Sequence, residues 1–366
     1  MLEVTKKRVL IVDDAVVVRR MLSDAVSRDC ALEVVGTASN GHIALAKFAA
    51  LRPDIIVLDI EMLEMDGLET VRELRKIDLR VPILMFSTLT ERGASATLEA
   101  LSLGATDYLT KPSNTEMAST LETVSRELLP RLRALCHLPE ASVAEGMQAA
   151  PRVVAAAARP QHKPRLMVPL QIVAIGVSTG GPDALARLVP SLPANLPVPV
   201  VITQHMPPIF TSLLAARLSA RASLPVLECK SGEILTAGRV FIAPGDFHMV
   251  TSLENGVVRL KAHQGPKENF CRPSVDVLFR SVAEVYGGHT LAVILTGMGQ
   301  DGLKGCEILR GLGARIYVQD EASSVVWGMP GFVARNGLAD KVLPLDQIGG
   351  EIVRATTLQI AQRAHS

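Results

Sequence analysis

Aromatic side chains are scarce, at 3% of 366 residues, although 48% of the chain is hydrophobic. Its cores must therefore be aliphatic, built from Val, Ile, Leu, Ala and Met. Neither charge is in excess: 38 Lys and Arg face 37 Asp and Glu, a formal net charge of +1. A domain whose main task is nucleic-acid binding needs clustered basic residues against the phosphates, and this balance argues against one. The five cysteines, Cys30, Cys136, Cys229, Cys271 and Cys306, are widely spaced and form no C-x-x-C. A disulfide framework or zinc site is not expected, and a reduced, cytoplasmic compartment fits best. No window approaches the roughly 18 uninterrupted apolar residues of a membrane span. Nor does any early segment have the basic-then-apolar layout of a signal peptide, because LIVDD sets two acids directly after the first apolar run.

What is present is a repeated alternation of strand and helix. RVLIVDD, LEVVGTA, DIIVLD, VPILMFS and DYLT read as strands, with amphipathic segments between them. Uninterrupted apolar runs such as IIVL fit strands covered on both faces, hence a parallel sheet. The texture changes after Pro130, where scattered prolines and an alanine run suggest a linker. Alternation resumes near Met167 with the strands QIVAIGV, PVVIT, VFIAP, TLAVILT and ARIYVQ. GPDALARLVP, PIFTSLLAARLSAR, PSVDVLFRSVAEVY and DGLKGCEILRGLG read as helices, and Asn255-Gly256 between alternating runs signals a hairpin. The expectation is an α/β chain. Residues 1–130 form a flavodoxin-like domain and 131–166 a linker. Residues 167–366 form a doubly wound, mostly parallel sheet with an antiparallel hairpin.

In the first domain, Asp13-Asp14 ends the first strand, Asp59 the third and Ser87 the fourth, while Lys111 and Pro112 follow the fifth. Parallel strands bring these ends to one edge, where open α/β folds place their sites. Asp13-Asp14 taken alone reads as a helix cap. Converging carboxylates, however, repel one another unless a cation joins them, and hard oxygen ligands suit Mg²⁺. This series resembles the receiver domain of bacterial response regulators over residues 8–128. The resemblance implies that Asp59 accepts a phosphoryl group from a chemotaxis histidine kinase. It also implies that Asp13, Asp14, Asp59 and the carbonyl of Glu61 hold Mg²⁺. Lys111 pairs with the phosphoryl oxygens beside a cis Lys111–Pro112 bond, and Ser87 and Tyr108 carry the switch. Leu63 departs from the family, which has proline there.

In the second domain, Gly176-Val177-Ser178-Thr179-Gly180 follows a strand and opens a helix. It fits either a nucleophile turn or a damaged dinucleotide fingerprint. The dinucleotide reading fails twice. The next strand ends in Gln204-His205 rather than an acid, and Ser178 adds bulk where pyrophosphate would approach. A nucleophilic serine needs a base, and the base needs an acceptor to fix its tautomer. His205 ends the adjacent strand, and LTGMGQDG after another strand supplies Asp301. Singly, Ser178 could cap a helix, His205 could be structural and Asp301 could be an N-cap; three strand ends on one edge favour a triad. The order Ser…His…Asp differs from that of the α/β-hydrolases. His248, His263 and His289 receive no role, and Met206, Met298 and Met329 read as packing or rim residues.

The segments GVSTGGP, RPSVDVLF, LTGMGQDG and DEASSVVWGMP resemble the chemotaxis protein-glutamate methylesterases, over essentially the whole chain except the linker. The resemblance implies hydrolysis of glutamyl methyl esters on methyl-accepting chemoreceptor cytoplasmic domains, with deamidation of receptor glutamines. It places Ser178, His205 and Asp301 on the triad and the Met298 N–H at the oxyanion. Thr179 supports the histidine, and no metal takes part in the ester chemistry. The unphosphorylated receiver covers the active-site edge. Two other classes are a receiver joined to a nucleic-acid-binding output domain and a catalytically silent receptor adaptor. The second domain shows no basic recognition helix or aromatic platform, and only loss of function on Ser178→Ala separates an esterase from an adaptor.

Overall fold

The computed structural model describes residues 5–112, 117–139 and 168–363. In the N-terminal domain the elements run β1 (Lys7–Val12), α1 (Val16–Val26), β2 (Leu32–Ala38), α2 (Gly41–Leu51) and β3 (Ile55–Asp59). They continue as α3 (Gly67–Ile77), β4 (Ile83–Ser87), α4 (Glu91–Ser102), β5 (Asp107–Thr110) and α5 (Met117–Leu135). The strands form one five-stranded parallel sheet in the order β2-β1-β3-β4-β5. Alternate residues of β1 and β3 enter opposite cores: Leu10, Val12, Ile56 and Leu58 on one face, Val9, Ile11, Ile55 and Val57 on the other. Both faces are covered, as the unbroken apolar runs require.

The expected end at residue 130 falls short. Helix α5 carries Pro130 inside it and runs on to Leu135. Leu128, Leu132 and Leu135 are buried in the N-terminal domain's core, and Arg133 holds Asp29 at 2.7 Å. This packing offsets the cost of proline in a helix interior, which sequence alone weights as a stop. The rest of the expected linker, from residue 140, lies outside the described residues.

The C-terminal domain begins with β6 (Ile172–Val177), α6 (Gly181–Leu188), β7 (Val200–Gln204), α7 (Phe210–Ser219), β8 (Val226–Glu228) and β9 (Val240–Ile242). Next come β10 (His248–Glu254), β11 (Val257–His263), α8 (Val275–Tyr286), β12 (Thr290–Ile294) and α9 (Leu303–Gly311). Last are β13 (Arg315–Gln319), α10 (Met329–Arg335), β14 (Lys341–Leu343) and α11 (Leu345–Arg363). Seven strands pair in parallel in the order β14-β13-β12-β6-β7-β9-β8. The strand order reverses between β6 and β12, so their C-terminal loops diverge and leave a crevice there. Strands β10 and β11 form a separate two-stranded antiparallel sheet, around Asn255 and Gly256 with φ of 49° and 78°. Those positive angles match the two-residue hairpin turn that Asn-Gly favours. Among the described residues, no helix is long and apolar enough to cross a membrane.

The two domains share a buried apolar cluster. Leu98, Leu101 and Tyr108 of the first pack with Leu185, Phe210 and Leu214 of the second. The Tyr108 and Phe210 rings stack with centroids 4.9 Å apart and planes 6° from parallel. An Arg217 Nη donates to the carbonyl of Ser95 at 2.9 Å.

Candidate active site

At the N-terminal sheet edge, carboxylate oxygens of Asp13, Asp14 and Asp59 lie within 4.8 Å of one another. Lys111 Nζ reaches Asp13 at 3.0 Å and Asp59 at 2.8 Å. Burial pushes the Asp59 carboxyl up to about 6, and the Asp13 charge adds to this while Lys111 opposes it. One ammonium does not neutralise three clustered carboxylates, so the donor set fits a hard divalent cation. Ser87 ends β4 with its hydroxyl donating to the carbonyl of Gly93 at 3.2 Å. Glu61 and the exposed Leu63 lie in the loop after β3. One expectation is corrected: the cis X-Pro bond among the described residues is Arg272–Pro273, not Lys111–Pro112. Lys111 reaches both carboxylates without it.

In the C-terminal domain the register pairs Val177 with Gln204, so Ser178 and His205 each follow directly on neighbouring strands. Such backbones run about 4.8 Å apart. The His205 N–H donates to the carbonyl of Val177 at 3.2 Å, fixing the pair. Helix α6 starts after Gly180, at φ 75°, with no side-chain cap, so Ser178 is not spent as a helix cap. Helix α9 likewise starts after Gly302, at φ 93°. Both turns need a left-handed residue, which glycine supplies without a Cβ clash.

Asp301 serves a different helix. Its Oδ2 accepts from Val275 N at 2.7 Å and lies 2.8 Å from His205 Nε2. Its Oδ1 accepts from Asn269 Nδ2 (2.8 Å), Ser274 Oγ (2.9 Å) and the backbone N–H groups of Asp276 and Gly302 (3.1 Å each). The carboxylate thus sits at the N-terminus of α8, where the helix dipole favours an anion. Burial alone would raise its pKa, but His205 and these backbone donors hold it well below the usual carboxylate range. Asn269 and Ser274 escape sequence reasoning because nothing local marks them as partners of a residue so far along the chain.

The histidine's second contact is unexpected. Cys271 Sγ lies 3.5 Å from His205 Nδ1. Burial disfavours the imidazolium, whereas Asp301, and Cys271 when it is a thiolate, favour it and raise the His205 pKa. Thr179, expected to support the histidine, makes no hydrogen bond to its ring among the described residues, where the ring meets Asp301 and Cys271. The Thr179 carbonyl accepts from Thr296 Oγ1 at 2.9 Å, and its side chain helps to moderate the raised pKa of buried Asp107 across the domain boundary. Ser178 Oγ makes no hydrogen bond among the described residues; its N–H donates to Thr296 O and its carbonyl accepts from Gln204 Nε2 at 3.0 Å.

Gln204, passed over in the sequence as merely not acidic, is a clamp. The same Nε2 also reaches the carbonyl of His205 at 3.2 Å, and the residue is buried. Gln204→Leu should lower the urea midpoint by about 1–3 kcal/mol of stability, the cost of orphaned buried partners. It should also cut turnover about 10- to 100-fold through loss of alignment. Unchanged turnover at a lowered midpoint would restrict the residue to folding.

Met298 lies on the loop after β12, and its backbone N–H has no protein partner among the described residues, leaving it free for a ligand oxygen. That loop is fastened to the segment before α10. Gly297 bridges to Trp327, and Trp327 Nε1 donates to the carbonyl of Gln319 at 2.9 Å. The Arg335 guanidinium covers the indole 5.3 Å from a ring centroid. Val325 and Val326, just ahead, pack against the N-terminal domain's core.

Comparison with known proteins matches each domain to a family. Residues 9–121 match the response regulator receiver domain, and residues 173–352 match the family described as CheB methylesterase. A protein-glutamate methylesterase/protein-glutamine glutaminase of Trichodesmium erythraeum is 49% identical over 354 residues, covering 95% of this chain and 99% of that protein. One from a Nocardioides species is 48% identical over 360 residues, 96% of each chain. The solved catalytic domain of the Thermotoga maritima CheB methylesterase is 44% identical with a TM-score of 0.50, covering 51% of this chain and 99% of that one.

Proposed function

This chain belongs to the CheB methylesterase family, a phosphorylation-regulated hydrolase of glutamyl methyl esters and glutamine amides in proteins, and we propose that Ser178, His205 and Asp301 carry its chemistry. The observation that carries this reading is the 2.8 Å contact between Asp301 and His205 Nε2, on a histidine in register beside Ser178. With Nε2–H donated to the carboxylate, Nδ1 keeps the lone pair and is the base.

Ser178 Oγ attacks the ester carbonyl while its proton passes to Nδ1. The N–H of Met298 receives the oxyanion; such a donor is worth roughly 10²–10³ in rate. Nδ1–H protonates departing methanol, and water then cleaves the acyl-enzyme by the same proton path in reverse. A glutamine side chain follows the same course and releases ammonia. For Nδ1 to accept from Ser178 it must give up Cys271, since it has a single lone pair. The substrates proposed are methyl-accepting chemoreceptor cytoplasmic domains. The test is methanol release from methylated receptor fragments, with and without a small-molecule phosphodonor.

Regulation follows from the shared interface. We assign Asp59 as the phosphoryl acceptor, served by a chemotaxis histidine kinase. Asp13, Asp14, Asp59 and the carbonyl of Glu61 would hold Mg²⁺, which when bound offsets the charge of the phosphoryl oxygens. Lys111 pairs with those oxygens, and Ser87 and Tyr108 repack in response. Since Tyr108 stacks on Phe210 and Asp107 lies by Thr179, repacking loosens the cover over the serine turn. This is a population shift between closed and open arrangements. Asp59→Asn should keep turnover at its basal level when phosphodonor is added. Arg217→Ala removes one hydrogen bond that bridges the domains, worth about 1 kcal/mol, and should raise basal turnover about fivefold. A variant that stays at the wild-type basal rate would remove this contact from the closing interaction.

A further inference from the structure

Cys271 forms a second nucleophile-base-carboxylate series on the imidazole already assigned to Ser178. Its Sγ faces Nδ1 at 3.5 Å while Asp301 holds Nε2 at 2.8 Å. Thiol, imidazole and carboxylate in this order are the elements that activate cysteine nucleophiles. The residue ends a tight turn, paired to Glu268, whose two central residues Asn269 and Phe270 have φ of 50° and 62°. Asn269 is tied to Asp301 and Asp276, and Phe270 is 97% exposed. The turn therefore fixes a half-buried thiol against the histidine at the solvent edge.

The other cysteines lack this setting. Cys136, Cys229 and Cys306 are buried, and burial pushes their thiols up, the first two to about 12. Cys30 is exposed and makes no hydrogen bond to an imidazole among the described residues. Cys271 is the thiol with a base in reach.

We infer that Cys271 is a modification site for soft electrophiles, hydrogen peroxide among them, and that its modification silences the esterase by keeping His205 from Ser178. The inference rests on His205 being the esterase's base. In the oxidation, the Sγ proton passes to Nδ1 and a sulfur lone pair attacks one peroxide oxygen. The O–O bond breaks as the S–O bond forms. The departing hydroxide takes the proton from Nδ1 and leaves as water, so sulfur is oxidised to sulfenic acid and peroxide is reduced. The new S–OH donates to the same nitrogen, and a thiol reductant restores the thiol.

The test uses the full chain in two measurements. Iodoacetamide labelling at neutral pH, read by peptide mass spectrometry, compares Cys271 with Cys30 as internal reference. Wild type and Ser178→Ala should label Cys271 at least about tenfold faster than His205→Gln, as for a thiol activated by an adjacent base. Equal rates in wild type and His205→Gln, with Cys30 unchanged, would overturn the inference while leaving the esterase assignment intact. Conversely, methanol release that survives Ser178→Ala would sink the esterase assignment without touching the labelling result. In the second measurement, brief peroxide treatment should inactivate wild type, and dithiothreitol should restore it. Cys271→Ser, compared with its own untreated rate, should keep most of its activity. Inactivation of Cys271→Ser at the wild-type rate, or a loss in wild type that dithiothreitol does not reverse, would overturn the inference, since the latter points to methionine oxidation.

Discussion

Ser178→Ala should abolish methanol release from methylated receptor fragments, a loss on the order of 10⁶ in turnover for a triad nucleophile. The hydroxyl is the atom that joins the acyl group, and no neighbour replaces it in place. Cys271 shares the base but approaches Nδ1 from its own turn rather than from the serine turn. The oxyanion donor and the substrate contacts remain in the variant, so a residual rate of about 10³–10⁴ over water is compatible with the proposal. Receptor binding should be retained, because the side chain is small and its hydroxyl makes no hydrogen bond among the described residues. A loss smaller than about tenfold would mean that another nucleophile operates. In that event Ser178→Ala combined with Cys271→Ala would identify whether the thiol is responsible.

The second large effect belongs to Asp301→Asn, expected to reduce turnover about 10⁴-fold. Every atom around this carboxylate donates to it. Its Oδ2 serves Val275 N and His205, and its Oδ1 serves Asn269, Ser274, Asp276 N and Gly302 N. An amide must turn its NH₂ toward one of these sets. Facing His205, it forces Nε2 to accept, moves the ring proton to Nδ1 and removes the base. Facing the other set, it opposes four donors at once and destabilises the start of α8, at about 1–3 kcal/mol for each orphaned group. The two outcomes separate experimentally. The first opposes the Val275 N–H alone and lowers the unfolding midpoint modestly while it costs turnover, whereas the second opposes four donors and lowers the midpoint much further. Turnover within tenfold of wild type in either case would remove Asp301 from the mechanism.

Much of this was legible in the sequence because the long central strands announce themselves. IVAIGV, VVIT and TLAVI are apolar on both faces, and their ends carry Ser178, His205 and the loop to Asp301. The strands β8 and β14 were not foreseen. Each is three residues long and sits at an edge of the seven-stranded sheet, too short to show a pattern of its own. Helix α5 outran its expected end because Leu132 and Leu135 find a core that the proline gives no hint of. At the site, position along strands was readable but side-chain direction was not. Thr179 turned toward Asp107, and Cys271 arrived beside the histidine from a turn whose local residues encode only the turn.

The chain has a single tryptophan, Trp327, and the fold fastens it to the loop that carries Met298. Its indole is held between the carbonyl of Gln319 and the guanidinium of Arg335, next to valines that touch the N-terminal domain. The enzyme therefore carries its own optical reporter at the point where both acylation and parting of the domains would be felt. A change in intrinsic emission on adding phosphodonor, timed against the gain in turnover, would follow the opening event without an attached dye.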